Sequence, residues 1–511
     1  LLFEQGSVSI QARSLANGAV FADLSPGIWR VALNKSGYGA KWVDMDVDPK
    51  KPYHFRLLSD CLLGYAWPKC VQIGGRSEFR LHSPESVKVS LWRYGWEKKR
   101  VQKIGWFDEH GPRATVQITP DQDYTQKGIQ WNKHGYSSPS HKQYINAPQR
   151  SGLYYFHVKS ESEAFFSFPW VVAPEKPQEK IALLLSDLTW NAYNSFGGRS
   201  NYIHPDHLPP TPTLNARLEL ERYTDAEHLN YKTKGYDPLS LDRPETINNI
   251  PEKVQVTDPI EGRAACHLAP AEWRLIGWLE RVAFTHDIFS ETQFHFGKLN
   301  LDDYEVLILG PHPEYWSKTM YQKLKHWIFE SSGRLMYLGG NGLNCEVEFV
   351  DEQTCIYRNE DARELRNPAH SFESRFHQRQ ESEANLLGVV YDERGIMTAA
   401  PYEVTDSSHW VFEGTGLKQG DVFGIHSLHE RIPGGASGHE TDKISPSSPS
   451  NTRLLAKGLN ADDGGAHMVL HETQSGGCVF SAGSICWISS LLVDDKVSCI
   501  TKNVLRRFSL A

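Results

Sequence analysis

The chain has 511 residues, 40% of them apolar and 23% charged, with a net charge of -8. That length suggests about two to four domains, and the composition allows large cores and excludes global disorder. The acidic balance, with no basic stripe beyond Lys98-Lys99-Arg100 next to Glu97, argues against a nucleic-acid partner.

No apolar run approaches the ~18 residues of a membrane span, so no membrane association is expected. The start, Leu1-Leu2-Phe3-Glu4-Gln5, carries no basic n-region or cleavage signal; lacking Met, it reads as a processed product. The eight cysteines form no C-x-x-C pair. They read as buried thiols in a reducing, cytoplasmic compartment, not as a zinc site or a disulfide framework.

Residues 1–58 read as a small β module. Val8, Ile10, Val20 and Phe21 precede a turn at Ser25-Pro26-Gly27, and 29–33 alternates with period two. Residues 59–176 continue in β style, with predicted strands at 87–91, 152–158 and 164–168. An immunoglobulin-like sandwich fits them. Residues 172–177 read as a linker.

Residues 177–511 change texture. Continuous apolar runs at 181–186, 304–310 and 334–340 predict strands buried on both faces, and 272–284 and 318–329 have helical spacing. Alternating strands and helices predict an α/β domain on a mainly parallel sheet. Segments 203–262 and 359–384 read as excursions from that sheet. The Gly-, Ser- and Pro-rich stretch 433–452 reads as a long functional or mobile loop, with Gly434 and Gly435 as a hinge.

Ligands in open α/β sheets gather at strand carboxyl ends. Three such ends carry unusual polar residues. The first is Thr189-Trp190-Asn191-Ala192-Tyr193-Asn194, leading to Gly197-Gly198-Arg199-Ser200-Asn201-Tyr202. The second is Gly310-Pro311-His312-Pro313-Glu314-Tyr315-Trp316, and the third is Gly339-Gly340-Asn341-Gly342. Taken alone, the tyrosines read as packing residues, His312 and Glu314 as caps of the helix near Ser317, Asn341 as a left-handed turn residue and Glu440 as a solvated acid.

In combination these segments resemble the C-terminal domain of the N,N-dimethylformamidase large (beta) subunit family. The resemblance runs over roughly 180–500 and includes Gly438-His439-Glu440-Thr441-Asp442 and Gly476-Gly477-Cys478-Val479-Phe480-Ser481-Ala482-Gly483-Ser484. It implies a glutamine-amidotransferase-like α/β fold and a mononuclear Fe(III) site, iron being preferred to zinc. The implied ligands are Tyr193, Glu314 and a second tyrosine. Tyr236 fits the family's spacing better, with Tyr202 as the substitute. His312, Asn341 and Glu440 are the implied catalytic groups. Phenolate and carboxylate are hard donors suited to a highly charged ion.

The implied activity is hydrolysis of a C–N bond in a small N-substituted amide or formamide. The implied partners are that substrate, a small companion subunit and further copies of the chain. Two alternatives stand beside it. One is a non-catalytic carbohydrate-binding or assembly protein with a degenerate α/β domain. The other is a cysteine-dependent amidotransferase-like enzyme. For Cys345, which lacks a nucleophile elbow, a buried structural thiol is the preferred reading.

Overall fold

The computed structural model describes residues 1–38, 41–48, 50–53, 55, 57, 61–107, 124–128, 143–203, 238–260, 264–359 and 372–510. At the N-terminus, four antiparallel strands lie in the order Val8–Gln11, Leu2–Gln5, Gly27–Leu33, Lys41–Val47. Trp29, Val31 and Leu33 are buried while Ile28 and Arg30 face out, as period-two alternation requires. Val20 and Phe21 join no strand, and Phe21 is exposed.

Two sheets follow. One contains Leu63–Trp67, Arg76–His82 and Tyr144–Asn146; the other contains Cys70–Gln72, Phe165–Ala173, Gly152–Ser160, Val87–Tyr94 and Lys98–Phe107. Their shared core includes Phe79, Leu81, Leu91, Phe156, Phe168 and Trp170. The expected linker begins later than its composition suggests. Val172 and Ala173 are buried at the end of Phe165–Ala173, because that strand pairs in parallel with Cys70–Gln72.

The central sheet has nine strands. In chain order they are β1 (Ile181–Leu185), β2 (Asp287–Ser290), β3 (Val306–Leu309), β4 (Arg334–Tyr337), β5 (Tyr402–Val404), β6 (Val422–Phe423), β7 (Arg453–Gly458), β8 (His467–Glu472) and β9 (Cys478–Ser481). Their spatial order is β2-β1-β3-β4-β9-β8-β7-β5-β6. The first five are parallel and the last four join antiparallel. The fold is therefore mixed α/β preceded by β modules. Strands β1 and β3 are buried throughout, which explains their unbroken apolar runs. Because β2 flanks β1 on one side and β3 on the other, the strand order reverses between β1 and β3. Such a reversal is where open α/β sheets gather ligands, at the carboxyl ends of the strands.

The predicted helix at 318–329 is Lys318–Phe329, capped by Ser317, whose hydroxyl accepts from the Met320 N–H at 3.3 Å. The helix expected at 272–284 is Ala269–Arg281. Pro270 fits the first turn, where a missing N–H does no harm, and Ala283 adopts a left-handed φ of 62° just past the end. Among the described residues, no helix is long and apolar enough to cross a membrane.

The sandwich is fastened to the central domain by buried polar groups. Asp242 Oδ1 accepts from Tyr65 OH at 2.7 Å and from Arg80 Nη1 at 2.6 Å. Inside the central domain, Glu272 fixes its helix to the end of β1 by accepting the Ser186 N–H at 2.7 Å. Burial pushes the Glu272 carboxyl up to about 8, with Asp187 reinforcing and the Ser186 N–H opposing. A carboxyl whose folded pKa exceeds its unfolded value binds its proton more tightly when folded, so its stabilisation is complete below the ordinary range. It is lost as pH rises through the folded value. Wild-type stability should therefore fall between about pH 4.5 and 8. Glu272→Gln should flatten that slope in unfolding measured across the range; a variant with an unchanged slope would contradict this.

Candidate functional site

The site is built from the three strand ends that the sequence singled out. After β1 the chain forms the short helix Asp187–Tyr193, which ends on Tyr193. Gly197 and Gly198, at φ of 98° and 102°, then reverse the backbone and return Tyr202 to the ring of Tyr193, with centroids 4.4 Å apart.

The buried Arg243 clamps this return. It donates to the carbonyls of Ser240, Phe196, Arg199 and Asn191 at 3.0–3.2 Å, and to Asn191 Oδ1 at 3.1 Å.

His312 and Glu314 lie on the turn after β3. Thr189 ties that turn to the first strand end. Its hydroxyl donates to the His312 carbonyl at 2.9 Å and accepts the Glu314 N–H at 3.3 Å. Neither residue caps the following helix, since Ser317 does so. Both side chains are almost fully buried.

Asn341, after β4, has a left-handed φ of 53°. Its N–H donates to Asp442 Oδ1 at 2.8 Å, while Asp442 Oδ2 accepts from Tyr337 OH at 2.7 Å. Asn341 thus makes the expected left-handed turn while its side chain reaches Glu440. Gly340 permits the approach of the next segment, since a Cβ there would lie 2.4 Å from the Glu440 carbonyl.

Glu440 enters from a segment expected to be mobile. Residues 436–443 are instead buried. Ser437–Gly438 pairs with Ala399–Ala400, and Thr441–Lys443 pairs with Val390–Asp392. Gly434 and Gly435 form a tight crossing and not the expected hinge. A Cβ on Gly435 would meet the Ala400 backbone at 2.4 Å.

These segments converge on a triangle of oxygens. Tyr202 OH lies 2.8 Å from Tyr193 OH and 2.9 Å from Glu314 Oε2; Tyr193 OH lies 3.0 Å from the same Oε2. Tyr315 OH extends it, 2.5 Å from Tyr202 OH and receiving Asn201 Nδ2 at 2.8 Å. On the other side, His312 Nε2 lies 3.0 Å from Glu440 Oε2 and 3.3 Å from Glu314 Oε2. Asn341 Nδ2 donates to Glu440 Oε2 at 2.9 Å. Asn341 Oδ1 is buried and has no hydrogen-bond partner among the described residues, so it offers an acceptor to a bound molecule.

Electrostatically the site is strained toward the acid forms. Burial pushes the Glu314 carboxyl up; His312 opposes this and Glu440 reinforces it. Burial and then Glu314 raise the phenols of Tyr202 and Tyr315 well above the ordinary range. A bound cation would reverse these effects by favouring the anions. The donor set suits one. Adjacent oxygens on a six-coordinate hard ion with bonds of ~2.0–2.1 Å lie about 2.8–3.0 Å apart. Among the described residues, no group of three His, Cys, Asp or Glu side chains is arranged to hold a metal, and the oxygen cluster here includes phenols.

The structure thus brings together Tyr193, Tyr202, His312, Glu314, Asn341 and Glu440. Tyr236 lies outside the described residues. Cys345 is buried, with Sγ 2.9 Å from Asn359 Oδ1, and burial pushes its thiol up to about 12, which suits a structural thiol. Sequence reasoning missed His267, whose Nδ1 lies 3.0 Å from His312 Nδ1. Its segment, Ala264-Ala265-Cys266-His267, carries no motif. It also missed Tyr315, adjacent to Glu314 but recognisable only once Tyr202 is placed beside it.

The family model described as "N,N-dimethylformamidase beta subunit-like, C-terminal" matches residues 88–499. The chain is 25% identical over 467 residues to the N,N-dimethylformamidase beta subunit of Paracoccus aminophilus, covering 74% of this chain and 58% of that one. It is 28% identical over 286 residues to the subunit of the same name from Alcaligenes sp, covering 47% and 36%. The chain therefore spans less than two thirds of the length of these relatives.

The clamp can be tested apart from the chemistry. Arg243→Met leaves several buried carbonyls without their donor, at about 1–3 kcal/mol each. The variant should be destabilised by about 3 kcal/mol or more in chemical unfolding. An unchanged midpoint would show that the return to Tyr202 does not need it.

Proposed function

Because the chain belongs to the N,N-dimethylformamidase beta subunit-like family, we propose that it hydrolyses the C–N bond of a small N-substituted amide or formamide at a single metal ion, iron(III) in preference to zinc. The observation that carries this reading is the buried oxygen triangle lying beside the Glu440–His312–Asn341 cluster. Tyr193 and Glu314 are the proposed ligands, with one further tyrosine. The family spacing favours Tyr236, and proximity to both ligands favours Tyr202. The parallel half of the central sheet and its helices support the amidotransferase-like assignment of this domain. Burial of the Cys266, Cys345, Cys355, Cys478 and Cys486 thiols supports a reducing compartment. The relatives' name, beta subunit, supports a companion subunit.

When bound, the cation polarises the amide carbonyl and increases the acidity of a water. The chain's own groups do the rest. Glu440 Oε2 accepts the proton of the attacking water and returns it to the departing amine nitrogen, so one carboxylate serves both halves of the reaction. Nε2 of His312 and Nδ2 of Asn341 already converge on that oxygen, and are placed to donate to the carbonyl oxygen as negative charge develops. Asn341 Oδ1 accepts an N–H from substrate or a water proton. The surrounding burial excludes bulk solvent and strengthens each contact. In a non-catalytic protein, burying two carboxylates among phenols would cost stability without return, which counts against that reading.

Three variants test the roles. Glu314→Ala should lose metal. Asn341→Ala should keep metal while its turnover falls by about 10²–10³. Glu440→Gln should keep metal and substrate binding, with most of kcat lost and KM little changed. Metal content and steady-state kinetics on formamides decide among them. Full metal in Glu314→Ala, or near-normal kcat in Glu440→Gln, would refute the corresponding assignment.

A further inference from the structure

We infer that His267 is a positioning residue that fixes the tautomer and aim of His312, an inference that rests on the amide-hydrolase reading above. His267 is the last residue of the short helix Ala264–His267 and is almost fully buried. Its Nδ1 faces Nδ1 of His312 at 3.0 Å. The other nitrogen of His312, Nε2, faces Glu440 Oε2 at 3.0 Å and Glu314 Oε2 at 3.3 Å.

Glu440 must be ionised to act as the base, and an ionised carboxylate oxygen only accepts, so the single proton of a neutral His312 belongs on the Nε2 that faces it. Nδ1 of His312 is then an acceptor, and the hydrogen bond it receives is donated by Nδ1–H of His267. This is the tautomer that the proposed role demands, since only an Nε2–H can donate to a carbonyl oxygen beside Glu440. With the proton on Nδ1 instead, the Nε2 lone pair would face two carboxylates.

Ring contacts hold His267 in that orientation. It packs edge-on against Tyr193, with centroids 4.5 Å apart at 74°, and against His439 at 5.3 Å and 85°. His439 is itself directed from behind. His429 Nδ1 accepts the Ile432 N–H at 3.1 Å, which leaves its Nε2–H to donate to His439 Nδ1 at 2.9 Å. The imidazole that touches the reacting atoms is therefore aimed by a residue that does not touch them. Such outer partners commonly set both ring orientation and tautomer.

Asn and Leu variants separate aiming from packing. An Asn side chain can place an N–H close to the position of Nδ1, a Gln side chain places it farther out, and Leu offers none. His267→Leu should lower kcat by about 10–100-fold while KM and metal content stay near wild type. His267→Asn should recover most of that loss and His267→Gln little of it. Near-normal kcat in His267→Leu, or Asn no better than Leu, would overturn the inference.

A second readout does not depend on turnover. In 15N-histidine-labelled protein, with gallium(III) offered in place of any iron to keep the sample diamagnetic, His312 should show the Nε2–H tautomer and lose it in His267→Leu. A proton found on Nδ1 of wild-type His312 overturns the inference whether or not any amide is cleaved. The expected tautomer in a protein that cleaves no amide supports it, and counts against the hydrolase reading alone.

Discussion

Everything around the site follows from the burial of one carboxylate, Glu314, among phenols. A carboxylate removed from water must be hydrogen-bonded, protonated or paired with a cation. Here Tyr193 and Tyr202 donate to it, His312 stands beside it, and a second carboxylate, Glu440, presses in from the far side. The Arg375 guanidinium opposes part of the upward push on Glu314, and the rest of this acid cluster is stable only if the scaffold holds it or a cation joins it. Both the fold and the proposed chemistry answer that requirement.

The scaffold answers it with polar groups one layer further out. Thr189 joins the ends of β1 and β3, Asp442 joins the end of β4 to the Glu440 segment, and Arg243 holds the return that delivers Tyr202. The β-sandwich adds its own anchor through Arg80 and Asp242, one residue before that clamp. The chemical groups are thus held by strand ends and their buried supports, and small displacements of any support would misplace oxygens that must lie near 3 Å from one another.

Much of this was legible in the sequence, and the exceptions have physical causes. The buried strands β1, β3 and β4 declared themselves as apolar runs, and their polar ends marked the site, because a parallel sheet covered on both faces leaves no other place for such residues. Lys318–Phe329 was visible from spacing together with Ser317. Ala269–Arg281 was misplaced by one turn because its apolar pattern does not register the proline that begins it. The composition of 433–452 fits a functional or a mobile loop alike, because glycines needed for close backbone crossings at Ala400 and Gly340 look like those of a flexible loop. His267 could not be found at all, since its importance lies in a contact with His312 across 45 residues of chain. Tyr236 lies outside the described residues, and the placement of Tyr202 beside Tyr193 depends on a reversal at Gly197 and Gly198 that spacing along the chain does not register.

Metal analysis of the purified protein, combined with its visible spectrum, tests the central claim most directly. The account predicts one tightly bound iron per chain and a coloured protein, from charge transfer between phenolate oxygens and iron(III). A colourless preparation that cleaves an amide without stoichiometric metal would contradict it.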